Sequence, residues 1–256
     1  MRRLAATFGL FLLALITAFG LAAPARSAEP VDLLLVLSAD VSRSVDAEKF
    51  KLQRQGYADA FSDNRVVSAL TSGPLGRAAV IFLEWAGAEE RAVVADWTVI
   101  DGADSARRFG DTLLEAPRSF AGRTSISTGI DFAMEQFARS PYPAERRVID
   151  ISGDGTHNSG RDVRAARDEA VAQGVAINGL VILSDAPLPI FPEHTNPPGG
   201  LEHYFQENVI GGDGAFVKAA QNFEAFGRIL ISKLITEVAW VPDPAHGKRA
   251  VRFMRR

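Results

Sequence analysis

Residues 31–44, VDLLLVLSADVSRS, constrain the fold more than any other stretch of the chain. An unbroken apolar run from Leu33 to Leu37 passes directly into Asp40, Ser42 and Ser44. A Leu- and Val-rich run with no polar alternation is the habit of a central parallel strand buried on both faces. Open α/β sheets place their ligands outside the carboxyl ends of such strands. Asp40, Ser42 and Ser44 alternate along the chain at that end, so an extended conformation points all three side chains the same way. One carboxylate and two hydroxyls, without sulfur or imidazole, form a hard-oxygen set suited to Mg²⁺, Mn²⁺ or Ca²⁺ rather than to zinc or copper. Each residue alone has a plainer reading, as a helix cap or a turn residue.

The remaining pattern alternates strands and helices. Residues 46–62 carry Phe50, Leu52, Tyr57, Ala60 and Phe61 near helical spacing, with Asp46 as the expected cap. Residues 78–83 and 92–97 read as two strands joined closely through Gly87, hence a hairpin. A helix over 103–114 ends before Pro117, and another spans 127–137. Residues 147–151 form the next strand. A helix over 162–173 stops at Gly174, and 175–183 is another strand of buried type. A final strand is expected over 215–219, followed by a closing helix over 223–238. This order predicts a doubly wound, mostly parallel central sheet with one antiparallel edge strand and helices on both faces.

Residues 184–214 interrupt the rhythm with five prolines and several glycines, though 201–208 has the pattern of a short helix. This excursion leaves the rim that carries the oxygen set. It is read equally as a specificity loop or as a surface insertion.

Two further segments complete a recognisable set. Gly122-Arg123-Thr124-Ser125-Ile126-Ser127-Thr128-Gly129 and Val148-Ile149-Asp150-Ile151-Ser152-Gly153-Asp154-Gly155 join Asp40-x-Ser42-x-Ser44 in an order that resembles the von Willebrand factor type A (vWA) family. The matching positions for that family's metal-ion-dependent adhesion site (MIDAS) are Asp40, Ser42, Ser44, Thr124 and Asp154. The resemblance implies a Rossmann-like fold in which Ser42, Ser44 and Thr124 contact a divalent ion, with Asp40 and Asp154 often acting through water. It further implies an open coordination position that takes a carboxylate from a partner protein, with no need for catalysis. Glu84-Trp85-Ala86-Gly87, residues 146–155 and Ile177-Asn178-Gly179-Leu180 look like a narrower family of secreted bacterial vWA-like proteins that carries no established activity. That likeness implies a Gram-negative source and a periplasmic or secreted location.

Compartment and domain signals agree with a secreted protein. Arg2 and Arg3 precede an apolar stretch over 4–23 and the small-residue segment Ala22-Ala23-Pro24-Ala25, which together read as a signal peptide over 1–28. An uncleaved anchor is the alternative, because the stretch approaches the roughly 20 residues that span a bilayer. Removing 1–28 takes away Arg2, Arg3 and Arg26 and no acid, so the formal charge moves from −3 to −6. A mildly acidic chain carries no footprint for nucleic acid. With 0 cysteines, disulfides and thiolate metal sites are excluded. Residues 29–240 then form a single domain, and 241–256 a basic tail.

Two rival functions are weighed on the same residues. A metal-dependent hydrolase of the aspartyl-phosphatase kind needs a second acid two residues after Asp40, where Ser42 stands. Gly-x-Ser-x-Gly and Walker-type loops are absent from the sequence. His157 is the histidine nearest the site in sequence and the candidate base. The other rival is a scaffold in which the metal merely staples three loops.

Overall fold

The computed structural model describes residues 28–184 and 188–239. The expected signal peptide, apart from Ala28, and the basic tail over 241–256 lie outside the described residues.

The apolar run becomes the central strand β1 (Leu33–Asp40), and all eight of its residues are buried. The sheet order is β3-β2-β1-β4-β5-β6, built from β2 (Ala78–Trp85), β3 (Arg91–Ile100), β4 (Arg146–Gly153), β5 (Ala176–Ile182) and β6 (Val217–Ala220). Every neighbouring pair is parallel except the β2–β3 hairpin, which makes β3 the antiparallel edge. Leu35 stands opposite Val80 on one side and Val148 on the other.

Alternation along β1 separates two cores. Leu33, Leu35 and Leu37 face Tyr57, Phe61, Phe82, Phe226 and Leu230, under α1 (Ala47–Ser62), α2 (Asn64–Leu70), α3 (Ala103–Glu115) and α8 (Phe223–Val238). Leu34 and Val36 face Trp85, Ile126, Ile130, Ile149 and Phe205, under α4 (Ile126–Arg139), α5 (Val163–Ala172) and α7 (Leu201–Asn208). Burial on both faces explains why β1 shows no polar alternation.

Local signals hold where they were read. Asp46 accepts from the backbone N–H of Glu48 and Lys49 and starts α1. Asp162 caps α5 in the same way, and Gly174 follows that helix at φ 75°, a left-handed conformation in which glycine carries no Cβ penalty. The structure adds α2, which the sequence pattern did not separate from α1, and it moves the last strand from 215–219 to Val217–Ala220. Residues 184–214 are less irregular than expected: besides α7 they contain the single turn α6 (Pro192–Thr195) and a bridge between Gly211 and Ile177.

Helix α4, which follows the Thr124 loop, packs directly on β2. A Cβ at Gly129 falls 2.7 Å from Nε1 of Trp85, a side chain with 0% exposure. Gly129→Ala is therefore expected to cost about 1–3 kcal/mol in a urea-unfolding experiment, because the buried indole must shift. An unchanged unfolding midpoint would show that α4 does not sit this close to the sheet.

Candidate functional site

The site lies on the carboxyl rim of the sheet, where three loops converge. The first departs from the extended geometry expected of it. After Asp40 the chain turns, with Val45 N–H donating to the Ser42 carbonyl at 3.0 Å, so Ser42 and Ser44 meet Asp40 through a turn rather than through strand alternation. Asp40 Oδ1 accepts from the Ser42 N–H at 2.7 Å and fixes that turn. The two serine hydroxyls lie 3.2 Å apart.

The other loops close on this pair. Thr124 Oγ1 donates to Ser42 Oγ at 3.0 Å, across 82 residues of sequence. Ser44 Oγ donates to Asp154 Oδ1 at 2.5 Å, across 110 residues. All five sequence-selected residues thus fall into one contiguous cluster. Asp40, Ser42, Thr124 and Asp154 are buried, at 0%, 1%, 1% and 2% exposure, and Ser44 lies between buried and exposed.

Two acids are buried here together, which costs free energy unless a cation is near. Burial, with Asp154 beside it, pushes the Asp40 carboxyl up to about 8. Burial also raises Asp154, opposed by the Ser44 hydrogen bond and the Lys49 ammonium. Lys49 Nζ stands 3.9 Å from Asp154 Oδ2 and donates to the Ser44 carbonyl at 2.8 Å. Asp40 Oδ2 is buried with no hydrogen-bond partner among the described residues. An orphaned carboxylate oxygen, a second buried acid and three hydroxyls are chemically a fit for a hard divalent cation. Among the described residues no three His, Cys, Asp or Glu side chains gather as a metal cluster, so hydroxyls and water would supply most of the ligation.

Several residues that shape the site were not selected from the sequence. Arg118 Nη2 donates to the carbonyls of Val41 and Ser42, at 2.6 and 2.8 Å, and braces the turn from below. Asn158 Oδ1 accepts from the Thr124 N–H at 3.0 Å, while its own N–H donates to the Thr124 carbonyl at 2.9 Å. The imidazole at the cluster is His194 rather than His157. Its Nε2 lies 3.3 Å from Thr124 Oγ1, whereas His157 is held through its backbone N–H to the Tyr204 hydroxyl at 3.2 Å. Burial lowers the pKa of both imidazoles. His194 arrives on the proline-rich excursion, whose Leu188, Pro189, Ile190, Phe191 and Pro192 line a groove of about 1140 Å³ beside Ser44 and Thr124.

Solved structures share this architecture. The pilus adhesin SpaC from Lactobacillus rhamnosus GG, in its open conformation, superposes with a TM-score of 0.57, at 13% identity over 83% of this chain and 31% of its own. Proximal thread matrix protein 1 from the mussel byssus, in a structure with a zinc-occupied MIDAS motif, gives 0.56 at 15% identity, over 81% of this chain and 46% of its own. A von Willebrand factor type A protein from Catenulispora acidiphila gives 0.52 at 16% identity, over 82% and 43%. The chain thus spans less than half the length of each of these proteins. Among curated proteins none matches it in sequence. Sheet order, antiparallel edge and helix placement together define a vWA fold. Within that class the chain belongs to the family described as "Protein of unknown function (DUF1194)", which matches residues 30–242.

Proposed function

We propose that this protein is a divalent-metal-dependent binding module that captures an acidic group of a partner protein. Ser42, Ser44 and Thr124 hold the ion, Mg²⁺ or else Mn²⁺ or Ca²⁺, with Asp40 and Asp154 acting through water. Bound there, the ion supplies an electrophilic position for a carboxylate oxygen. The observation that carries the reading is the hydrogen-bonded cluster of three hydroxyls and two buried acids, in which Oδ2 of Asp40 has no partner among the described residues. The chain's own residues do the positioning: Asp40 fixes the Ser42 turn, Asn158 holds the Thr124 loop, and Arg118 holds the carbonyls beneath.

Adhesion rather than catalysis is supported by the structural neighbours, a pilus adhesin and a thread matrix protein, the latter with zinc in its MIDAS motif. Ile190 and Phe191, 80% and 70% exposed at the lip of the groove, add apolar surface for a protein partner. No helix among the described residues is long and apolar enough to cross a membrane. With the amino-terminal leader pattern, the periplasm of a Gram-negative bacterium is the proposed location.

Thr124→Ala tests the reading. The probe is a fluorescent glutamate-rich peptide, titrated with the protein in Mg²⁺ and again in chelator. Binding is expected in Mg²⁺ only. Thr124→Ala should weaken it about tenfold or more, with an unfolding midpoint shifted by less than about 1 kcal/mol-equivalent, because one hydroxyl hydrogen bond to Ser42 is lost. Equal peptide binding in chelator would overturn the proposal.

A further inference from the structure

The excursion over 184–214 brings an imidazole to the cluster from a fourth loop. His194 Nε2 faces Thr124 Oγ1 at 3.3 Å, and the other ring nitrogen, Nδ1, lies 3.3 Å from Thr156 Oγ1 and 3.4 Å from Asn158 Nδ2. The backbone holds it as well: Thr156 N–H donates to the His194 carbonyl at 2.8 Å. The ring lies so close to the second-aspartate loop that a Cβ on Gly155 falls 2.3 Å from Nε2. Glycine next to Asp154 therefore makes room for this imidazole, and Thr156 Oγ1 orients it: accepting from Nδ1–H, it leaves Nε2 unprotonated, whereas the Asn158 amide N–H, a donor, favours the opposite tautomer. An acceptor on the far nitrogen, the place Thr156 Oγ1 takes here, is how proteins fix the tautomer and direction of a ligating histidine.

We propose that His194 is a nitrogen ligand of the metal site, which shifts the preference of an otherwise all-oxygen set toward borderline divalent ions such as Zn²⁺ and Co²⁺. The inference rests on the metal site proposed above and goes beyond its five oxygen-bearing residues. The reason is ligand chemistry: imidazole suits zinc and its neighbours, while oxygen alone suits Mg²⁺ and Ca²⁺. Nε2 is the ring nitrogen on the side of Thr124, whose Oγ1 it meets at 3.3 Å and which in turn bonds Ser42 Oγ. In this arrangement the loop selects the ion as well as shaping the groove beside it.

The test uses the full mature chain, stripped with chelator, in wild type, His194→Gln, His194→Ala and Asp40→Ala forms. Pulsed electron paramagnetic resonance of bound Mn²⁺ reads nitrogen hyperfine coupling directly, which a histidine acting only as a loop fastener does not produce. Wild type is expected to show the coupling and both His194 variants to lose it. Zn²⁺ affinity should fall about tenfold or more in the His194 variants while Mg²⁺ affinity changes by less than about threefold. His194→Gln keeps hydrogen-bonding capacity toward Thr156, so loss in that variant separates ligation from loop anchoring. Mn²⁺ that binds in an Asp40-dependent manner without nitrogen coupling overturns the role of His194 and leaves the metal site standing. Absence of any Asp40-dependent binding overturns both.

Discussion

Replacing Lys233 with alanine is expected to lower the unfolding free energy by about 3–5 kcal/mol, the range for removing one partner of a buried ion pair. Lys233 lies on α8 with 0% exposure, 2.7 Å from Asp150 Oδ1 on β4 and 3.0 Å from Glu237 Oε2 one turn further on. Asn178 on β5 donates to Glu237 Oε1 at 2.6 Å and accepts from the Phe216 N–H at 3.0 Å. Deleting the ammonium leaves two acids facing each other in the core. Burial and Glu237 already push Asp150 up to about 7, and Lys233 is what opposes them.

The sign of the pH dependence follows. A carboxyl whose folded pKa lies above its unfolded value of 3.8 stabilises the fold fully below that value and loses the contribution as pH rises through about 7. Without the opposing ammonium the rise is larger, so Lys233→Ala should be less stable at pH 8 than at pH 6. Urea unfolding followed by circular dichroism checks both points, and Lys233→Met combined with Asp150→Asn and Glu237→Gln should recover most of the loss. A single-variant effect below about 1 kcal/mol would mean that the pair is solvated.

Asp40→Ala should do two opposite things. In chelator the variant is expected to be as stable as the wild type or more so, since it removes a buried acid that Asp154 repels and whose Oδ2 has no partner among the described residues. The lost Ser42 N–H contact partly offsets that gain. In saturating Mg²⁺ the order reverses. A ligand at about 100 times its Kd adds about 2.7 kcal/mol to the wild type, and a variant whose affinity has fallen about 100-fold or more gains little of it. Thermal unfolding of both forms, with Mg²⁺ and with chelator, reads the crossing. A variant destabilised equally in both buffers would make Asp40 a structural residue.

The parts of this protein legible in its sequence are those in which one short segment carries its own signal. β1 runs apolar from Leu33 to Leu37 because both of its faces are covered, and α8 meets the sheet mostly through apolar residues such as Phe226, Leu230 and Leu234. Asp46, Asp162 and Gly174 mark helix ends by local backbone chemistry. The five oxygen-bearing residues were picked out because their three loops, in order, resemble those of the vWA family.

What was missed depends on contacts between distant segments. His194 meets Thr124 across 70 residues, from a proline-rich stretch with no periodicity to place it. Arg118 reaches Ser42 across 76 residues. α2 was passed over because it is only seven residues long and Asp63, the end of α1, is also its cap. Lys233 did leave a trace: it sits three residues after Leu230 on an apolar helix face with Glu237 four residues on, the pattern of a buried pair rather than of a solvated one. The buried Arg54–Glu84 pair, at 2.6 Å, joins two segments 30 residues apart and left none.

The most direct measurement is calorimetric titration of the chelator-stripped chain from residue 29 onward with Mg²⁺, Mn²⁺ and Ca²⁺, beside Asp40→Ala under the same conditions. A single-site isotherm in the wild type that disappears in the variant is the expected result. Absence of binding in the wild type, or binding undiminished in Asp40→Ala, would contradict a metal held by Asp40, Ser42, Ser44, Thr124 and Asp154.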